Sequence, residues 1–197
     1  MTHDEARAQP VAAHEAVWHG RVFDVVADRV DLGGPEPVRR EYTVHPGAVA
    51  VIALDGADRV LLLQQYRHPV RHALWEPPAG LLDVPGEPEV AAGRRELAEE
   101  ADLIAGRWWH LVTFFTSPGA SDERITVFLA RDLTPVPDDA RYVRRDEEAG
   151  MIPVWVSLDD AVAAVLAGEL HSPTAVVGVL AAAGARTLGW TTVTPVV

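Results

Sequence analysis

The chain has 197 residues, 48% of them hydrophobic, and a formal net charge of −12. It contains no cysteine, which excludes disulfides, thiolate metal sites and cysteine nucleophiles; all 17 basic residues are arginine, which removes P-loop and lysine Schiff-base chemistry. The acidity argues against nonspecific nucleic-acid binding, and no apolar run reaches the roughly 18 residues needed to span a bilayer.

The length predicts one compact domain with at most a small extension. The polar start Met1–Arg7 carries no hydrophobic stretch behind it, so no secretory signal is expected, and the expected location is the cytoplasm. Residues 1–14 lack periodicity and read as a loose arm. Residues 17–32 and 38–45 alternate as strands around the turn signal Gly33-Gly34-Pro35. Residues 48–54 and 59–65 are apolar strands joined by Asp55-Gly56-Ala57-Asp58, which reads as a hairpin. A loop over 66–83 leads to a helix with Pro88 in its first turn. On that helix Val90, Leu97 and Ala101 share one face, offset from its glutamates. Strands are predicted over 108–116 and 124–132, then a polar loop over 134–150 and a strand over 152–156. Ser157 can cap a helix over 158–167, and Ser172-Pro173 opens a last helix to about Arg186.

The run Arg95-Glu96-Leu97-Ala98-Glu99-Glu100 concentrates the chemistry. Glu96, Glu99 and Glu100 stand at i, i+3 and i+4, so their carboxylates share a helix face. Like charges at that spacing weaken a helix by a few tenths of a kcal/mol per pair, and a divalent cation reverses that sign. Hard oxygen ligands of this kind suit Mg²⁺, with Mn²⁺ as the other candidate. The bland alternative is a solvated acidic face. Against it stands the wider pattern: Gly80, six residues, Glu87, seven residues, then the run. At about 6% usage per fixed residue, a chance match is on the order of one in a million. No H-E-x-x-H pair supports a zinc site, and no G-x-S-x-G elbow supports a serine triad.

This segment resembles the Nudix box, the signature of hydrolases that cleave nucleoside diphosphates linked to another moiety. The chain departs from the family pattern twice. Its first gap holds six residues instead of five, within a loop that tolerates insertion, and Asp102 stands where a glycine is expected before Leu103. The resemblance implies an α/β (α+β) fold, the Nudix α/β/α sandwich with mixed β-sheets, over residues 46–197. Residues 1–45 would form an N-terminal antiparallel β extension. In the box, Glu96, Glu99, Glu100 and the carbonyl of Ala79 would hold metal, while Gly80, Glu87 and Arg95 would be structural.

Ser117-Pro118-Gly119 and the spacing on to Glu123 resemble the ADP-ribose pyrophosphatase subgroup, as do Arg39-Arg40-Glu41, Gln65-Tyr66-Arg67 and Trp75-Glu76-Pro77-Pro78-Ala79-Gly80. The likeness implies substrate contacts from Arg39, Arg40, Arg67, Leu81, Ser117, Pro118, Gly119 and Glu123. Trp18 or Phe23 is the expected aromatic face for adenine. Asp146-Glu147-Glu148 offers a general base or further metal ligand from outside the helix, and its distance from Met151 selects Glu148 over Glu147. The implied reaction is metal-dependent hydrolysis of ADP-ribose to AMP and ribose 5-phosphate. Other NDP-sugars, NADH or FAD are rival substrates, and a non-catalytic ADP-ribose sensor is the rival from another class. The expected partners are a small nucleotide and a second copy of the chain in a homodimer, without nucleic acid or membrane.

Overall fold

The computed structural model describes residues 2–144 and 150–197, which form two compact units. One comprises Met1–Pro46 with Phe115–Glu123; the other comprises Gly47–Phe114 with Arg124–Val197.

The first unit is a three-stranded antiparallel sheet in the order β1 (Val11–His19), β2 (Asp24–Val30), β3 (Val38–Val44). Two expectations change here. The predicted strand over 17–32 is broken by a turn at residues 20–23, where the Gly20 N–H donates to the Asp24 carboxylate at 3.2 Å. The loose arm ends sooner than predicted, because residues 11–14 already pair with β2. Val11-Ala12-Ala13-His14 shows no apolar–polar alternation, which hid that pairing. His14 sits opposite Asp28 and meets its carboxylate through Nδ1 at 2.7 Å, while the Tyr42 hydroxyl donates to the other oxygen at 2.9 Å. The His14 contact, then the Tyr42 hydroxyl, hold the Asp28 carboxyl below the usual carboxylate range. Hydrogen bonding to Asp28, reinforced by burial, pushes the Tyr42 phenol up. The segment 115–123 clips onto β3. The Thr43 N–H donates to the Ala120 carbonyl at 3.0 Å, and the Asp122 N–H returns to Thr43 at 3.2 Å.

The second unit is mixed α and β. Its five-stranded sheet runs in the order β11 (Thr194–Val196), β8 (Leu103–Phe115), β9 (Arg124–Pro135), β4 (Ala48–Ala53), β7 (Ala79–Leu81), with β4 and β9 parallel. A three-stranded sheet runs β10 (Ile152–Ser157), β5 (Arg59–Arg67), β6 (His72–Glu76). The predicted hairpin between β4 and β5 is therefore a corner between sheets, its backbone joined by the bridge Leu54–Val60 and by the Asp55 N–H donating to the Arg59 carbonyl at 3.1 Å. The Asp55 carboxylate takes the N–H groups of Ala57 and Arg59, both at 2.9 Å, which tightens the turn whether or not the strands pair afterwards. The predicted loop over 66–83 holds β6 and β7, whose short lengths and prolines concealed them.

Strand β4 is buried on both faces, which is why it reads as an unbroken apolar run. Ala50, Ile52 and Leu54 join a cluster with Leu158 and Ala161 of α2 (Leu158–Leu166) and with Val179 and Ala182 of α3 (Pro173–Thr187). Val49, Val51 and Ala53 pack on the other side with Ala92 and Leu97 of α1 (Glu89–Ala101), Trp108 and Phe128. Helices thus cover both faces of the sheet, the sandwich that the box implies. Ser157 caps α2, accepting from the Asp160 N–H at 3.0 Å. No helix among the described residues is long and apolar enough to cross a membrane.

The Asp28 network has a measurable signature. In a phenol absorbance titration, the difference between wild type and Tyr42→Phe should show Tyr42 ionising above the ordinary value of about 10. Asp28→Asn should bring it back toward that value. The linked stability is present below the unfolded phenol pKa and lost as pH rises through the folded one. A Tyr42 that ionises normally in wild type would show that the bond to Asp28 does not persist in solution.

Candidate active site

Helix α1 carries the acidic cluster into the interior of the second unit. Glu96 and Glu100 are only 7% and 8% exposed, although both are ionisable and lie one turn apart. They are covered by β7. The Ala79 N–H donates to Glu100 Oε2 at 2.9 Å. At Gly80 a Cβ would fall 2.1 Å from the Glu96 carboxyl carbon, so the strand can lie on Glu96 only without a side chain there. Around it, Ala92, one turn before Glu96, and Leu97, the next residue, are both wholly buried and anchor α1.

Arg95 organises the exposed edge of the cluster. Its Nε and Nη2 reach the two oxygens of Glu87 at 3.3 and 3.2 Å, its Nη1 donates to Glu96, and Glu99 lies 3.5 Å away. Hydrogen bonding to Glu87, with the charge of Glu96 behind it, raises the guanidinium pKa further against the opposing effect of burial. Among the described residues, no three acidic or imidazole side chains converge on one point as a finished cation cage. The donor set nevertheless fits a hard cation: three carboxylates on one helix, two of them buried, with only oxygen offered. His68 and His72, four residues apart, use their Nδ1 atoms on the Tyr66 hydroxyl and the Val70 carbonyl.

A small recess beside the cluster is lined by Arg67, Glu76, Ala79 and Glu100. Arg67 forks onto Glu76, with Nη2 donating to Oε2 at 2.6 Å and Nε 3.2 Å from both oxygens. Glu76 is buried and received no role in the sequence reading, although the motif Trp75-Glu76-Pro77-Pro78 contained it. Arg67 lies on the neighbouring strand β5, opposite His72, so its match to this buried acid is invisible until β5 and β6 are paired. Leu81 pairs with Ala48 at the other end of β7 and does not line this recess.

In the first unit, a cavity of about 410 Å³ is lined by Arg40, Glu41, Tyr42, Phe115, Pro118, Gly119, Ser121 and Asp122. Of the predicted substrate residues, Arg40, Pro118 and Gly119 meet here. Arg39 does not; it points to the other face of β3, bonded to Glu15 at 3.0 Å and Glu41 at 2.9 Å. Glu123 accepts from the Thr116 hydroxyl at 2.6 Å and lies 3.6 Å from His45, so it ties its own loop together. Ser117 anchors the turn through its carbonyl, which accepts from Ala120 and Ser121. Trp18 and Phe23 pack on each other, ring centroids 5.8 Å apart, and do not line this cavity; its aromatic residues are Tyr42 and Phe115. Glu147 and Glu148 lie outside the described residues.

Comparison with known proteins agrees with this geometry. The NUDIX domain model matches residues 44–175, and the chain belongs to the Nudix family. It is 42% identical over 167 residues to the ADP-ribose pyrophosphatase of Mycobacterium tuberculosis, covering 85% of this chain and 79% of that one. It is 36% identical over 159 residues to the ADP-ribose pyrophosphatase of Bacillus subtilis, covering 81% and 84%. The crystal structure of an ADP compounds hydrolase superposes with a TM-score of 0.73 at 20% identity, over 95% of this chain and 99% of that one, which shows the shared fold.

The contact at Gly80 is open to test. Gly80→Ala should leave the melting temperature nearly unchanged, because the displaced atoms end a flexible side chain, yet move Glu96 and cost on the order of tenfold in divalent-cation affinity. Unaltered cation binding in a folded Gly80→Ala protein would show that Glu96 has no part in it.

Proposed function

We propose that this chain hydrolyses the diphosphate of ADP-ribose, giving AMP and ribose 5-phosphate, with Mg²⁺ as the divalent cation and Mn²⁺ as its substitute. The observation that carries the reading is the pair of carboxylates, Glu96 and Glu100, buried against the Ala79–Gly80 backbone in a complete acidic box. Likeness to two ADP-ribose pyrophosphatases over 85% and 81% of this chain supports the choice of substrate.

The chemistry follows from charge. A diphosphate brings about two negative charges, which the carboxylates alone would repel. Glu96, Glu99 and Glu100, with the Ala79 carbonyl, would hold a divalent cation, which would supply neutralisation and make the attacking water more acidic. Glu148 accepts the proton from that water as its oxygen bonds to phosphorus and the bridging anhydride bond breaks. Arg67, aimed by Glu76 beside Glu100, takes the diphosphate. Arg40, Pro118 and Gly119 are assigned as substrate contacts on the cavity of the first unit, while Arg39, Leu81, Ser117 and Glu123 shape their own loops and strands.

The first unit also favours a symmetric dimer. Val11, Val17, Trp18, Val22 and Phe23 are exposed, whereas Val26 is covered within the chain itself. A three-stranded sheet with an exposed apolar edge strand needs further cover, and a second copy is the commonest source. Trp18→Glu should then shift the sedimentation coefficient to that of a monomer. A wild-type protein that is monomeric and fully active at micromolar concentration would defeat the dimer. The cysteine-free composition supports a cytoplasmic setting.

The test of function is anion-exchange separation of products after incubation with Mg²⁺ and a panel of ADP-ribose, NDP-sugars, NADH and FAD. AMP with ribose 5-phosphate should appear fastest from ADP-ribose. Preference for another member of the panel would reassign the substrate, and no turnover of any would revive a binding-only role. Glu100→Gln should lower kcat by about two orders of magnitude or more. Glu148→Gln should lower kcat far more than it weakens cation binding, with Glu147→Gln nearly neutral; the reverse order would move the base to Glu147.

A further inference from the structure

The residue that breaks the family pattern, Asp102, is the C-cap of α1, and it adopts the left-handed conformation with φ 53° and ψ 37°. Glycine ordinarily fills that position because a side chain there is strained, aspartate being among the more tolerated exceptions. Here the side chain is used. Arg144 bonds the Asp102 carboxylate and, through Nε, donates to the Glu99 carbonyl at 2.9 Å. That carbonyl belongs to the last turn of the helix, where intrahelical partners run out. The backbone of Asp102 is fixed as well: its N–H donates to the Ala98 carbonyl at 3.2 Å, and its own carbonyl accepts from the Val136 N–H at 2.8 Å. Both side chains of the ion pair are only 27% exposed.

We propose that Arg144 and Asp102 act together as positioning residues that lock the last turn of α1, and with it the Glu99 and Glu100 carboxylates, for cation binding. The inference rests on the reading of those glutamates as ligands. Helix ends fray by a residue or two, and fraying here would move two of the three acidic side chains. A bond from a distant arginine to the Glu99 carbonyl prevents it. Asp102 then has a second use, since its carboxylate neutralises the guanidinium that would otherwise oppose a cation nearby. A glycine would end the helix equally well but could hold no arginine.

The experiment uses full-length protein and two readouts: Mn²⁺ binding followed by electron paramagnetic resonance without nucleotide, and kcat and KM at saturating Mg²⁺. Arg144→Ala should weaken Mn²⁺ binding by about tenfold, the usual scale for a group behind a ligand, with kcat reduced and the nucleotide KM nearly unchanged. Asp102→Gly, although it restores the family residue and relieves backbone strain, should do the same. The double variant should be no worse than either single one, because the two act as one unit. Arg144→Lys should recover only part of the loss, having no fork to span carbonyl and carboxylate. Should Arg144→Ala not fold, Asp102→Asn keeps the tolerated backbone conformation and an acceptor while removing the charge, and Mn²⁺ binding should again weaken. Wild-type Mn²⁺ affinity in the folded variants, or additive losses in the double variant, would overturn the proposal. Weakened Mn²⁺ binding in a protein that leaves ADP-ribose intact would instead overturn the substrate reading alone.

Discussion

Two carboxylates buried one turn apart, against a strand that has no side chain at the point of contact, constrain everything around them. A buried carboxylate without partners costs several kcal/mol, and two on the same helix face repel each other. No packing argument would place Glu96 and Glu100 there. The surroundings are arranged accordingly: the Ala79 N–H on Glu100, Arg95 on Glu96, and Glu87 holding Arg95 from the other side. Gly80 lets β7 close over the pair. The helix itself has to be anchored firmly, which Leu97 and Ala92 do against Val49, Val51, Trp108 and Phe128. In this sense the central sheet exists to hold one polar helix face inside the protein.

The parts of the molecule that could be read from the sequence are those with a strong local period or a local cap. The α1 register follows from Val90, Leu97 and Ala101, the start of α2 from Ser157, and the buried strands β4 and β5 from their valine and leucine runs. What stayed hidden depends on pairing between distant segments. The turn Asp55–Asp58 looks the same whether it closes a hairpin or turns a corner, because Asp55 satisfies the turn by itself. Strands β6 and β7 are short, and Pro77-Pro78 between them reads as a loop. Glu76 became meaningful only when β6 placed it against Arg67.

The same division holds in the N-terminal unit. Arg39 and Arg40 are indistinguishable as a sequence pair, yet strand alternation sends them to opposite faces, one into an ion-pair network with Glu15 and Glu41 and the other to the cavity wall. His14, Asp28 and Tyr42 fall on three different strands, and only the register Ala13–Arg29, His14–Asp28 and Val26–Tyr42 makes them one hydrogen-bonded row. Tyr42 is thereby held from behind in the wall that also contains Phe115. Trp18 and Phe23, the aromatic residues expected from the sequence, pack on each other instead of lining this cavity.

Both departures from the family pattern lie where backbone geometry can absorb them. The extra residue in the first gap falls before α1, in a stretch where Gly86 adopts a positive φ of 80° and the Glu87 N–H closes a turn on the Val84 carbonyl at 3.1 Å. The added length is taken up before Glu87, so the Glu87–Arg95 pair is preserved. At the other end, the lost glycine is replaced by a residue type that tolerates the left-handed region and can recruit Arg144. Between these two points the positions of the acidic residues are set by the helical repeat, where a single insertion would rotate every following carboxylate by about 100°. Both departures of this chain therefore fall in the connections at the ends of the helix and none within it.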